Sequence, residues 1–499
     1  MNLVFVTIMT VVMSTAAVAQ SFIESNAERY FESIKTNPQK LMTFLQAMPK
    51  GGDLHNHESG ATYAENMIHY AYNDHLCIDH HTYVVFRDPD CSPQSLLNNA
   101  IQEAGFYDRM IDAWSMRHFQ NTNESGHDHF FSTFGKFSLI ANNHRGEIVA
   151  EIAQRAGLEN ESYIELMVTA DNNESGQLGK LVGWDPNFAN MREKLLAANF
   201  DKIVTHISTS LDQDEATMRS VLACATHHPK MGCKVKVRYL YQVLREQTPE
   251  MVFAQLLAGF EAANKDRRVV GLNMVQPEDG TISMRDYKLQ MQMVRYLHHV
   301  YPTVHISLHA GELSCALVPA EGLTFHIHDA VAVAGANRIG HGVDIAQEDQ
   351  AEQLLKEMAE QHVLVEINLS SNASILNIQG KNHPLPLYMR YEVPVTLSTD
   401  DEGVSRSNLT TEYEHAVSAF QFNYLTLKKF VRNSLTYSFL PGKMLWKNDS
   451  YRQLTFECGN DMLGSDTPSP LCKAFLDANE KAKLQWDLEK RFAMFESKF

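Results

Sequence analysis

The chain has 499 residues, of which 44% are apolar, and a formal net charge of −17 with its histidines neutral. That is long for one ordinary domain and leaves ample material for a large core. The acidic balance, with no long basic run, excludes a nucleic-acid-binding surface and makes a small molecule the expected partner.

Residues 1–19 differ from everything after them. Leu3 to Met13 is largely apolar, small residues follow, and Ala17-Val18-Ala19 precedes Gln20. That is the hydrophobic core and cleavage site of a signal peptide, although no Lys or Arg stands ahead of it. The run is too short for a permanent anchor, so a secreted or periplasmic protein with no stable membrane attachment is expected. Seven cysteines fit such a compartment. Cys77 with Cys91, Cys224 with Cys233 and Cys458 with Cys472 read as local surface disulfides, and Cys315 as a buried free thiol.

Residues 20–49 form a helical extension whose apolar stripe includes Phe31, Ile34, Leu41, Phe44 and Leu45. Pro49 and Gly51-Gly52 end it and lead into the main domain, 50–499. The stretch near 67–133 lacks a regular strand–helix rhythm and reads as an insertion over the mouth of the domain. It ends near Phe130, Phe131 and Phe134, which are pocket cover or core.

Eight short apolar runs then set the architecture. They are Asp53 to His57, Tyr163 to Val168, Lys234 to Tyr241, Val269 to Met274, Thr303 to His309, Arg338 to His341, Val363 to Asn368 and Val395 to Asp400. Most are β-branched and nearly continuous in hydrophobicity, as strands buried on both faces are. Helical patterns such as Glu250 to Asn264, Met284 to His299 and Gln347 to Glu360 separate them, with extra helices between Asp171 and Cys233. Thr410 to Phe439 and Leu471 to Phe495 close the chain. Eight alternating units predict an α/β fold, a (β/α)8 TIM-like barrel with inserted helices.

In such a barrel, chemistry sits at the C-terminal ends of the strands. There the predicted strands carry His55 and His57, His309 with Glu312, His341, and Asp400 with Asp401. On an extended strand residues two apart share a face, so His55 and His57 can converge on one ion. His127-Asp128-His129 and His326-Ile327-His328 show the same spacing, and 23 histidines make one such triplet expected by chance. Four strand ends bearing such side chains together are the stronger signal.

The order of these motifs resembles the adenosine deaminase family, and within it the exported growth-factor-related branch. The resemblance runs from Met48-Pro49-Lys50 through His57, Ser307 to Glu312, Arg338 to Asp344, Leu369-Ser370-Ser371-Asn372 and Ser398 to Asp401 to Leu409 to Tyr413. It implies one Zn2+ per chain on His55, His57, His309 and Asp400, with Glu312, His341 and Asp401 as catalytic groups. It also implies hydrolytic deamination of a purine nucleoside, adenosine or 2′-deoxyadenosine, to inosine or deoxyinosine plus ammonia. Three neutral imidazoles and one carboxylate leave a bound ion net positive, which lowers the pKa of its water to about 7. A protonated Glu312 would supply N1 of the purine, while His341 and Asp401 would handle the water's proton.

Two positions depart from the family. Ser59 stands where an aspartate commonly meets the ribose, and Glu58, if it were on a strand, would face the other way. Gln276 stands where a glycine usually meets the purine edge. Ser59, Gln276 and Asp401 are therefore the expected substrate contacts, on an altered pattern. A two-metal hydrolase is disfavoured because Val269 to Met274 has no bridging lysine. A flipped-base deaminase is disfavoured because Pro-Cys-x-x-Cys is absent. The alternatives are an exported signalling or binding protein with secondary or lost activity, or a deaminase of another aminopurine. Asn123-Glu124-Ser125 and Asn372-Ala373-Ser374 read as glycan acceptors.

Overall fold

A computed structural model describes residues 23–499; the expected signal peptide, residues 1–19, lies outside them. The helical extension is two helices, residues 23–34 and Pro38–Ala47. The break follows from local chemistry. Asn37 caps the second helix, its side chain accepting from the Lys40 N–H, and Pro38 sits at the first helical position.

Eight parallel strands follow: β1 Gly51–His57, β2 Glu161–Val168, β3 Lys236–Leu244, β4 Val269–Val275, β5 His305–Ala310, β6 Arg338–His341, β7 Leu364–Ile367 and β8 Val395–Leu397. Each pairs with the next in sequence order. The ring closes through a parallel bridge between Asn56 and Asp400, where the Asp400 N–H donates to the His55 carbonyl at 2.8 Å. β4 is buried along its whole length, as its unbroken apolar run requires. Helices such as Pro249–Lys265, Thr281–Val300 and Ala351–Glu360 cover the outside.

Two strand ends differ from expectation in ways that matter. β3 continues to Leu244 and carries Gln242 and Leu244 to the mouth. β8 stops at Leu397 rather than Asp400, because Asp400 has φ of 60°, outside any extended conformation. The insertion is also longer than the predicted 67–133. It holds a small antiparallel ribbon, Cys77–Ile78 with Val85–Phe86, and ends in the helix Gly126–Asn143.

Cys77–Cys91, Cys224–Cys233 and Cys458–Cys472 are disulfides. They are not all superficial: Cys77, Cys458 and Cys472 are buried. Cys315 is free but exposed, not buried, because the segment after β5 climbs out of the barrel mouth there. Among the described residues, no helix is long and apolar enough to cross a membrane.

Candidate active site

Strand geometry explains the first pair of histidines. His55 and His57 lie on one face at the end of β1, and β5 delivers His309 beside them. Their Nε2 atoms meet: His55 and His57 stand 3.1 and 3.2 Å from His309 Nε2. Asp400 Oδ1 lies 3.5 Å from His55 Nε2 and 3.2 Å from His57 Nε2. The four ligand atoms fall within 4.8 Å of one another, and all four residues are buried.

The far side of each ring shows what this cluster is fit for. His55 Nδ1 donates to Glu366 Oε2 at 2.7 Å, His57 Nδ1 to Gln242 Oε1 at 3.0 Å and His309 Nδ1 to Asn273 Oδ1 at 2.8 Å. An imidazole whose Nδ1 donates presents a lone pair at Nε2 when neutral. With the rings neutral, three lone pairs and a carboxylate oxygen converge. A cation satisfies that arrangement, and oriented outer partners of this kind accompany metal-bound histidines. The residues present fit a metal ion. Glu366 is itself held by Arg338 Nε at 2.5 Å, and Arg338 continues to Glu165.

A second group adjoins the first. Glu312, His341 and Asp400 offer ligand-type atoms within 4.8 Å. Burial pushes the Glu312 carboxyl well above its usual range, with the Asp400 and Glu278 charges adding to it. Burial brings His341 down to about 4, so its ring is neutral. Its Nδ1 lies 2.9 Å from Asn372 Oδ1 and 3.7 Å from Glu312 Oε1. Burial also drives the Asp401 carboxyl upward, and one of its oxygens has no partner. Asp401 crowds Gly60 so closely that a Cβ there would clash with its Oδ1.

A cavity of about 330 Å³ opens over these groups, with Phe130, Phe131, Phe134, Val275 and Pro277 as its apolar wall. Ser59, Gln276 and Asp401 line it. Gln276 has φ of 80°, so it keeps a backbone conformation natural to glycine, and its side chain accepts from the Glu246 N–H. A polar chamber of about 210 Å³ adjoins, sharing Ser59, Phe134, Gln242 and Leu244 with the first. Glu58 lines it, contrary to the strand-parity expectation. The strand ends at His57 and a one-turn helix, Glu58–Ala61, begins, so alternation lapses. Glu58 Oε1 and Asn173 Oδ1 are buried in this chamber's wall without partners.

Several partners escaped the sequence reading: Glu366, Asn273, Gln242, Glu278 and Asn372. Asn372 had a signal, the Leu369-Ser370-Ser371-Asn372 stretch, but also read as a glycan acceptor. It is fully buried against His341 and His383, so it cannot carry a glycan. The other two His-x-His triplets serve structure. His326 Nδ1 contacts Glu278 Oε1 at 2.6 Å, and His129 binds Glu124 and two carbonyls.

Comparison with known proteins agrees with this arrangement. The family described as adenosine deaminase matches residues 183–447, which hold His309, Glu312, His341, Asp400 and Asp401. An adenosine deaminase of Clostridium perfringens is 28% identical over 207 residues, 41% of this chain and 56% of that protein. The chain thus spans about half the length of that relative. The apo N6-methyl-AMP deaminase of Arabidopsis thaliana shares the fold, with 20% identity, a TM-score of 0.53, and 80% and 94% of the two chains covered. An amidohydrolase of Burkholderia ambifaria with bound Zn has 14% identity and a TM-score of 0.50, covering 80% and 88%. The matched stretch begins after β2, so His55 and His57 join the set through the fold alone. The family match covers more than half of the sequence and takes in three of the strand ends that build the site, and the chain belongs to the adenosine deaminase family.

Proposed function

We propose that this protein hydrolyses the exocyclic amine of adenosine or 2′-deoxyadenosine, releasing ammonia. The observation that carries the reading is the union of a buried cation-ready cluster, a protonated buried acid and an apolar slot at one strand end. His55, His57, His309 and Asp400 would hold the ion, and their nitrogen-rich donor set with one carboxylate suits zinc. What the ion supplies when bound is a water acidic enough to attack at neutral pH.

The chain's own groups do the rest. Glu312, neutral through burial, donates its proton to N1 so that C6 can accept electrons from the attacking oxygen. His341, a neutral ring anchored by Asn372, orients that water and takes its proton, with Asp401 alongside. The proton then passes to the leaving nitrogen, which departs as ammonia. The aromatic wall excludes bulk water and packs the purine faces.

The polar chamber supports a nucleoside over a free base. The polar side chains of its wall, Asn142, Thr169 and Asn172 among them, suit sugar hydroxyls, with Ser59 at the junction. It disfavours a nucleotide. Arg145 reaches the chamber wall, but its Nε is committed to Asp214 at 2.5 Å. The three disulfides support an exported protein.

The test is a turnover screen of adenosine, 2′-deoxyadenosine, adenine and AMP, followed by loss of the aminopurine absorbance. The two nucleosides are expected to show the highest kcat/KM. A higher value for AMP or adenine overturns the nucleoside reading.

A further inference from the structure

The helix Gly126–Asn143 carries Phe130, Phe131 and Phe134 over the catalytic cavity, so its placement sets the shape of the purine slot. It belongs to the insertion, not the barrel, and its first turn packs on the helix Leu369–Leu376, where Gly126 lies against the Ser374 carbonyl. Ser125 caps that end by accepting from the Asp128 N–H. One residue further in, His127 reaches across to the barrel. Its Nε2 lies 3.0 Å from Asp279 Oδ1, and its Nδ1 lies 3.0 Å from Asp128 Oδ1. The side chains of His127 and Asp279 are only 15% and 16% exposed, whereas that of Asp128 is 72% exposed. Asp279 is the one of the two carboxylates that lies on another element.

Asp279 lies in the loop after β4, and its three predecessors all serve the site. Gln276 and Pro277 line the cavity. Glu278 accepts from the Gly311 and Glu312 N–H groups at 3.0 and 2.8 Å, fixing the backbone of the acid. We propose that His127 and Asp279 form a latch, a positioning pair that clamps the aromatic helix onto the loop that shapes the purine slot and steadies Glu312. The inference rests on the deaminase reading for its effect on turnover, but the latch itself is a statement about the helix.

The chemistry favours a durable clamp. A neutral imidazole donates from one nitrogen only, so an imidazole with a carboxylate at each nitrogen is best satisfied as the cation. The carboxylates facing His127 are Asp128 on its own helix and Asp279 on the barrel loop, and the Phe131 ring packs beside it.

The test uses the full-length protein with His127→Gln, Asp279→Asn and the double variant. Two readouts are taken: hydrogen exchange of residues 126–143, and steady-state kinetics with adenosine. Each single variant is expected to speed exchange in that helix and raise KM about fivefold, with kcat changed much less, as loss of one partly screened charge-assisted hydrogen bond implies. The double variant should match His127→Gln, since with the imidazole gone Asp279→Asn has no contact left to remove. Unchanged exchange in both singles, or additive effects in the double variant, overturns the latch while leaving the activity untouched. A wild type that turns over no adenosine while the variants loosen the helix overturns the substrate reading and leaves the latch standing.

Discussion

Glu312 is the side chain on which the proposed chemistry turns. Burial keeps its carboxyl protonated in a site where Asp400 and Glu278 already carry charge, and Glu278 secures its backbone. Glu312→Gln preserves shape and one hydrogen-bond donor but has no proton to transfer. Loss of a general acid costs about 10²–10⁴-fold, so kcat should fall in that range while the metal content stays at the wild-type level. Near-normal turnover in this variant would show that N1 is protonated by another group. The place of Glu312 at the barrel mouth was legible in the sequence from His309-Ala310-Gly311-Glu312 at a strand end. Its keeper was not. Glu278 belongs to a loop remote in sequence, and its contact to Glu312 exists only once β4 and β5 are paired. The same distance hid Glu366, which fixes the His55 ring from β7.

Among the elements, strands and helices with strong periodicity were readable nearly to their ends. Arg338–His341 matches its prediction residue for residue, and Val269–Val275 differs by one. Boundaries failed where backbone conformation, not hydrophobicity, decides. Asp400 leaves β8 through a positive φ, and Glu58 leaves β1 by entering a helical turn. Short helical connectors also carry energetic cost that no pattern reveals. Glu348 accepts from the Ile327 N–H in the short helix His326–His328 between β5 and β6, yet its second oxygen is buried without a partner. Burial raises its carboxyl to about 7 from an ordinary value of 4.5. The folded state therefore holds a proton that the unfolded state has lost between these values, and its stability falls as pH rises through that window. Glu348→Gln removes the titration while keeping an acceptor. The variant should melt higher than wild type at pH 8.5, by up to about 2 kcal/mol, and match it at pH 4.5. An equal Tm at both pH values would show that Glu348 pays no burial penalty.

At the scale of the whole molecule, the barrel closes at its own site. The last bridge of the ring, Asn56 to Asp400, joins the strand of the first histidines to the fourth ligand-type residue. Closure of the sheet and placement of the fourth ligand-type residue thus share one contact. The insertion was less legible, because residues 67–133 have no period tying them to a neighbour. The aromatic wall of the cavity was accordingly left between pocket and core. The polar chamber was invisible in sequence, since Glu58, Arg145 and Asn173 meet only across separate elements. The central claim is that four converged side chains hold a zinc ion needed for deamination. Elemental analysis of purified wild type and His57→Ala, paired with an inosine-formation assay on the same samples, tests it most directly. Wild type is expected to hold one zinc per chain and be active, and the variant to lose both. Full zinc and retained activity in His57→Ala would contradict it.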